Sequence, residues 1–265
     1  MASQFARKFT VEGGKGVSLA KIDPRDESAF ESKEKAKADT ARDAELINQL
    51  QDCLYAEGRR SLLVVLQGMD CSGKDGTVRA VFNTCGPIGV EVTPFKVPSE
   101  EERAHDYLWR VHKAAPPKGI IGIFNRSHYE DVLVVKVRKF VSPEDIERRY
   151  EEINHFEKLL TDNGTRILKF MLHISKDEQA ERLGERVTDP KKFWKFNPSD
   201  LEDRKLWPQF MDAYETALKR CSPARDARGY GAEISQARRL GSEEGGDFLT
   251  RHDGWLSGLS CVAGW

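Results

Sequence analysis

The stretch Ser61–Gly76, SLLVVLQGMDCSGKDG, decides how the rest of the chain is read. Its opening run SLLVVLQ is continuously apolar, too short for a helix and closed by Gly68, the pattern of a strand buried on both faces. From Gly68 to Lys74 the residues then follow a G-x-x-x-x-G-K skeleton, and DGTVRAVFNTC continues as a helical pattern. Strand, glycine loop and helix in this order let backbone N–H groups and a helix N-terminus surround phosphate oxygens. Gly68 and Gly73 permit the sharp turn, Ser72 and Gly76 complete the expected phosphate-contacting loop, and Lys74 supplies a flexible point charge. Asp75 stands where such a loop usually carries a magnesium-binding Ser or Thr, and Thr77 comes too late to replace it. A carboxylate beside polyphosphate repels it unless a divalent cation lies between, so Asp70 is the expected Mg2+ ligand. For Asp75 the favoured reading is an acid in the first helical turn that stabilises the dipole, with metal binding as the alternative.

Further strands flank this unit. GIIGIFN from Gly119 and TRILKFMLHIS from Thr165 repeat the buried-strand pattern, and VEVTPFKV is a fourth candidate weakened by Pro94. Helical patterns lie between them at EEERAHDYLWRVHKA and SPEDIERRYEEINHFEKLLTDNG, and a long helix is expected over ESKEKAKADTARDAELINQLQDCLYAEG. In that helix Leu46, Ile47, Leu50 and Leu54 form an apolar stripe that would pack on the sheet or on another subunit. Alternating strands and helices predict right-handed crossovers and an open α/β sandwich.

Ligands of parallel sheets bind beyond the carboxyl ends of the strands, so Asn125, Arg126, Ser127, His128, Tyr129, Glu130 and Asp131 should face the same space as the glycine loop. Asn125 is neutral where an Asp commonly holds magnesium, which shifts that work to Asp70. Arg126 is placed to neutralise a moving phosphoryl group; its bland reading is a surface pair with Glu130, four residues on. His128 lacks a second ligand at zinc-like spacing, and His105 and His112 read as ordinary residues of an amphipathic helix. From Lys176 to Arg220 the chain is charged and helical with breaks at Pro190 and Pro198, an expected arm or lid. Arg182 and Arg186 share one face of it and would reach the loop as arginine fingers, with Lys191, Lys192 and Lys195 beyond them.

The 265 residues carry 42 Lys and Arg against 43 Asp and Glu, so overall charge points to no polyanion partner and any basic site must be local. Nothing matches a nucleic-acid-binding signature, and no apolar run approaches the roughly 18 residues of a membrane span. Five cysteines without a C-x-x-C pair argue against a disulfide framework and fit a reducing cytoplasm.

GMDCSGKDG, FNRSHYEDVLV and ERLGERVTDPKKFWKFNPSDLEDRKLW together resemble the three signature blocks of the family-2 polyphosphate kinases, from about Lys33 to Arg220. The resemblance implies a P-loop, thymidylate-kinase-like three-layer α/β/α sandwich with a parallel sheet and a helical lid. It also implies Mg2+- or Mn2+-dependent transfer of a terminal phosphoryl group from inorganic polyphosphate to nucleoside mono- or diphosphates such as AMP, ADP or GDP. Asp70, Lys74, Arg126, Arg182 and Arg186 match that family's loop acid, loop lysine, strand-end arginine and lid arginines. Glu130 and Asn125 resemble the branch called class III, which is associated with mono- and diphosphate acceptors. A polyphosphate donor needs a track of cations, for which Lys96, Arg110, Lys113, Lys118 and Lys136 are candidates as a group. The expected organisation is an irregular segment 1–32, a kinase domain 33–220 with its lid at about 176–205, and a poorly ordered tail 221–265. The tail, SPARDARGYGAEISQARR onward, departs from the family's usual PWY-x-V-P-A-D type segment. A dimer or tetramer in the cytoplasm is implied. The alternatives are an ATP-dependent nucleotide or small-molecule kinase and an inactive nucleotide- or polyphosphate-binding module.

Overall fold

The computed structural model describes residues 10–11, 17–26, 28 and 31–222, and the backbone of 231–236. Its elements run β1 (Thr10–Val11), α1 (Lys33–Glu57), β2 (Ser61–Gln67), α2 (Lys74–Phe82), β3 (Val90–Pro94), α3 (Glu100–Arg103) and α4 (Trp109–Lys113). There follow β4 (Ile121–Asn125), α5 (Val134–Val137), α6 (Pro143–Asp162), β5 (Thr165–His173), α7 (Lys176–Thr188), α8 (Ser199–Lys205), α9 (Trp207–Arg220) and β6 (Gly231–Gln236). The strands form one sheet in the order β1-β6-β5-β2-β4-β3, parallel except for β1 against β6.

The central position of β2 explains its composition. Hydrogen-bonded to β4 on one side and β5 on the other, it is buried at every residue. Alternate side chains enter different layers: Leu63 and Val65 join Ile153, Phe156, Phe210 and Tyr214 under α6 and α9. Leu62, Val64 and Leu66 join Ile47, Leu54, Val81 and Phe82 under α1 and α2. Each fully buried Leu or Val contributes about 1.5–3 kcal/mol, so helices on both faces stabilise a strand with no polar side. Pro94 is tolerated because β3 is an edge strand.

Local signals set the helix ends. The Ser32 hydroxyl accepts from the Lys35 N–H to start α1, and Gly58 ends it with φ of 58°, left-handed backbone that glycine adopts without Cβ strain. Ser142 caps α6 ahead of Pro143, and Ser175 caps α7. The buried face of α1 is not the expected stripe. Ile47 and Leu54 point to the sheet beside Ala44, Thr40, Asp43 and Gln51, whereas Leu46 is exposed, one helical step off the contact line. The pattern EEERAHDYLWRVHKA also differs from one helix: a capping box at Ser99 and Glu102 starts α3, which ends after one turn at Ala104, the Asp106 carboxylate accepts from the Leu108 N–H to begin a new turn, and α4 follows. His105, between the two, stacks on Trp109 with ring centroids 4.0 Å apart.

Of the segment 221–265, Cys221, Ser222 and the β6 backbone lie within the described residues. GAEISQ as a parallel strand beside β5 was not foreseen, being short and without an apolar run. Among the described cysteines Cys71, Cys85 and Cys221 are free. No helix of the described residues is long and apolar enough to cross a membrane.

Candidate active site

Three connections open on the carboxyl edge of the sheet. After β2 the chain turns into the loop Gly68–Gly73, after β4 into the turn Arg126–Asp131, and after β5 through Ser175 into α7. β4 and β5 lie on opposite sides of β2, so the chain changes direction across the sheet at this point, the place where such folds form a crevice.

The loop is tightly wound. Gly68 has φ of 151°, and a Cβ there would lie 2.6 Å from the Leu172 carbonyl oxygen and 2.6 Å from Ser72 Oγ. Gly73 caps α2 with φ of 99°. Gly68→Ala should therefore lower stability by about 2 kcal/mol or more, from backbone strain and overpacking together. Chemical denaturation reads this directly, and an unchanged midpoint would show that the loop relaxes at no cost. Lys74 is buried and its Nζ donates to the carbonyls of Gly68 (2.7 Å) and Met69 (3.1 Å) and to Ser72 Oγ (3.3 Å). Burial, and after it Arg126, pulls the ammonium below its ordinary pKa, while Asp70, Glu130 and Asp75 act the other way.

The turn after β4 brings its charges to the same loop. Arg126 donates to Asp70 and, at 3.4 Å, to Glu130 Oε2, so the pair with Glu130 given by the blander reading is present, half-buried within a larger cluster. Glu130 Oε1 also accepts from Gln67 Nε2 at 3.1 Å. Burial works against the Arg126 charge, but Glu130 and Asp70 outweigh it and raise its pKa. Tyr214 of α9 is buried next to the cluster, where burial and then Glu130 hold its phenol well above the ordinary value. Asp75 keeps the first-turn position read from sequence and accepts from Asn125 Nδ2 at 2.6 Å, with Lys195 Nζ 4.0 Å away. Asn125 thus meets the loop through Asp75.

The helical segment 176–205 covers the loop. Arg182 Nη1 donates to the Cys71 carbonyl at 2.8 Å and its Nε to Glu178. Arg186 Nη1 reaches Asp200 at 2.7 Å and the Lys195 carbonyl at 3.1 Å. Burial, followed by Asp70, raises the Asp200 carboxyl to about 6. Gln179, fully buried, bonds the Asp70 carbonyl at 3.1 Å and faces Arg204 through its Oε1. Sequence reading missed Gln179 and Gln67. The available signals were the spacing of Gln179 from Arg182, one turn along the same face, and the position of Gln67 as the last residue of β2.

The cation track divides. Arg110 is buried under Phe95, donates to the Lys96 carbonyl at 2.8 Å and approaches Asp131 and Glu102. With its guanidinium spent on these contacts, it is buried within the fold and not aligned along an open cation track. Lys96 and Lys118 are exposed, Lys113 lies over the Trp109 ring at 4.1 Å, and Lys136 pairs with Asp212 at 3.0 Å. His128 is fully buried on Glu157 and takes no part in the crevice surface.

For a metal, the described residues hold no ready-made group of three His, Cys, Asp or Glu. Asp70 offers one hard oxygen donor beside the phosphate loop, and Mg2+ is commonly held by one or two carboxylates together with substrate phosphates and water. The donor chemistry of the Asp70 carboxylate fits such an ion.

A parallel sheet whose central strand feeds a glycine loop and buried lysine, roofed by a helical segment bearing Arg182 and Arg186, defines a P-loop protein of the kinase type. The family model for polyphosphate kinase 2 matches residues 30–227. The chain belongs to that family. It is 51% identical over 217 residues to an AMP/ADP-polyphosphate phosphotransferase of Meiothermus ruber, covering 82% of this chain and 81% of the relative. An ADP-polyphosphate phosphotransferase of Rhodopseudomonas palustris is 40% identical over 228 residues, 82% of this chain and 79% of that one. Among solved structures, polyphosphate kinase 2 from Arthrobacter aurescens superposes with a TM-score of 0.83 at 41% identity, over 89% of this chain and 83% of that one.

Proposed function

We propose that this protein transfers the terminal phosphoryl group of inorganic polyphosphate to a nucleoside mono- or diphosphate, with AMP and ADP as acceptors. The observation that carries the reading is the convergence of Lys74, Arg126 and Asp70 on one rim of the sheet, with the lid segment bonded to the same loop. Similarity to the AMP/ADP-polyphosphate phosphotransferase over most of both chains supports the substrate pair. Asn125 and Glu130, half-buried at the strand end and matching the class III pattern, support the wider acceptor range.

In the reaction an oxygen of the acceptor's terminal phosphate attacks the terminal phosphorus of the polyphosphate. The new P–O bond forms as the bridging P–O bond breaks, and the shortened chain leaves with the electron pair. No side-chain nucleophile is needed, and catalysis rests on positioning and charge stabilisation. The loop amides and Lys74 hold the transferred group, and Arg126 neutralises charge spreading over its oxygens. Mg2+ held by Asp70 would supply charge neutralisation between phosphate oxygens. Lys74 and Arg126 are bonded to loop carbonyls and to Asp70 and Glu130, and a phosphate chain would replace these oxygens as their partners. Arg182 and Arg186 would add charge when the lid exchanges its contacts in the same way.

The test is direct. Purified protein, polyphosphate, Mg2+ and ADP or AMP should yield ATP or ADP with no other phosphoryl donor. Absence of new nucleotide would defeat the assignment, and a requirement for ATP as donor would favour an ordinary nucleotide kinase. A homo-oligomer belongs to the same reading, checked by light scattering.

A further inference from the structure

Arg126 has φ of 63°, left-handed backbone that a non-glycine residue with a long side chain rarely adopts. Such a conformation costs on the order of 1–3 kcal/mol and persists when the surroundings over-determine it. The preceding side is fixed by the sheet, since the Arg126 N–H donates to the Leu66 carbonyl at 3.0 Å. The following side has no strand to hold it: residues 128–131 form one short 3-10 turn.

One carboxylate ties two side chains of that turn to the elements beneath it. Glu157, on the inward face of α6 and fully buried, accepts from Tyr129 Oη at 2.8 Å and is 3.1 Å from His128 Nε2, both on Oε1. Its Oε2 accepts from Lys169 Nζ of β5 at 2.6 Å. Lys169 in turn donates to Tyr129 Oη at 3.0 Å and to the Cys221 carbonyl at 2.6 Å. Two consecutive side chains of the turn, lying between Arg126 and Glu130, are thus tied to one group anchored in both a helix and a strand. Arg149 of α6 fastens the end of the turn by donating to the Asp131 carbonyl at 3.0 Å.

From this geometry we infer that Glu157 is a positioning residue for phosphoryl transfer: through His128 and Tyr129 it holds Arg126 in its left-handed conformation and so aims the guanidinium at the phosphate loop. Glu157 touches no substrate. A fully buried charged group would otherwise be an expensive way to pack a helix on a sheet. Hydrophobic residues of equal size would fill the space, but they would not fix the direction of two polar side chains that flank the strained residue. The inference rests on the transfer reading above.

A double-mutant cycle tests it. Glu157→Gln keeps the shape and removes the charge; its kcat/KM on polyphosphate and ADP, corrected for folded fraction, should fall by about tenfold or more. In an Arg126→Ala background the same change should cost less than about threefold, because the group it positions is gone. Equal losses in both backgrounds, or a loss under threefold in the wild-type background, would overturn the inference. If Glu157→Gln does not fold, Tyr129→Phe removes one of the two ties without touching a charge, and the same cycle is run with it. A wild-type protein inactive on polyphosphate would instead defeat the transfer reading, which keeps the two failures distinct.

Discussion

Lys74→Met will lower polyphosphate-dependent phosphorylation of ADP or AMP on the order of 10³-fold and leave the protein folded. Each preorganised donor at a developing charge is worth roughly 10²–10³ in rate, and Lys74 supplies both a donor and a full charge inside a water-poor loop. The fold survives for a reason that the geometry makes plain. Lys74 Nζ satisfies the Gly68 and Met69 carbonyls, so its loss leaves acceptors short of partners at about 1–3 kcal/mol. Against this, burial and Arg126 already disfavour the ammonium, and removing it relieves that cost. Arginine is not a substitute, since a planar fork cannot sit where a compact ammonium bridges two carbonyls and a hydroxyl. The check is nucleotide formation by chromatography, with melting temperature as control. Turnover within threefold of the wild type would remove Lys74 from the mechanism.

Much of this site was legible because it is made of contiguous residues. The skeleton Gly68–Lys74 follows the most continuously buried strand, and a parallel sheet forces the residue after Asn125 onto the same rim. Asp70, Lys74 and Arg126 could therefore be placed together before any distance was known. Asp75 was read as a first-turn helix acid, and it occupies that turn. Its tie to Asn125 was not legible, because a strand-end amide reaching across to the next loop leaves no periodic trace.

What failed to show in the sequence depends on which way a side chain turns within a short element. Arg110 resembles Lys96 and Lys113 in charge and spacing, yet a five-residue helix carries too little pattern to reveal that Arg110 faces inward on Phe95. Leu46 and Ile47 are adjacent in an apolar stripe, and only the crossing of α1 over the sheet decides that Ile47 is buried and Leu46 is not. Glu157 and Lys169 are the extreme case. Among charged and apolar neighbours in EEINHFEKLL and TRILKFMLHIS neither stands out, yet both are buried, each neutralised by the other at 2.6 Å. Pairing across 12 residues and two elements is not a property of either segment alone.

That pairing carries the second large effect. Lys169→Met should destabilise the protein by about 3–5 kcal/mol at pH 7, since removing one partner of a buried pair strands the other charge. The dependence on pH gives the cause away. Burial raises the Glu157 carboxyl, but Lys169 first and then His128 more than offset it, bringing the group to about 2 against an ordinary 4.5. A depressed carboxyl adds stability that is complete above 4.5 and is lost as pH falls toward 2. Without Lys169 burial dominates, the folded pKa lies above the unfolded one, and the variant becomes relatively more stable as pH falls through that raised value. The gap between wild type and variant should therefore narrow from pH 7 to pH 4 in urea titrations. Adding Glu157→Gln to Lys169→Met should restore about half of the loss at pH 7, because a neutral pair carries no stranded charge. A gap that is constant with pH, or below about 1 kcal/mol, would mean that the turn bearing Arg126 is held by packing and not by the ion pair beneath it.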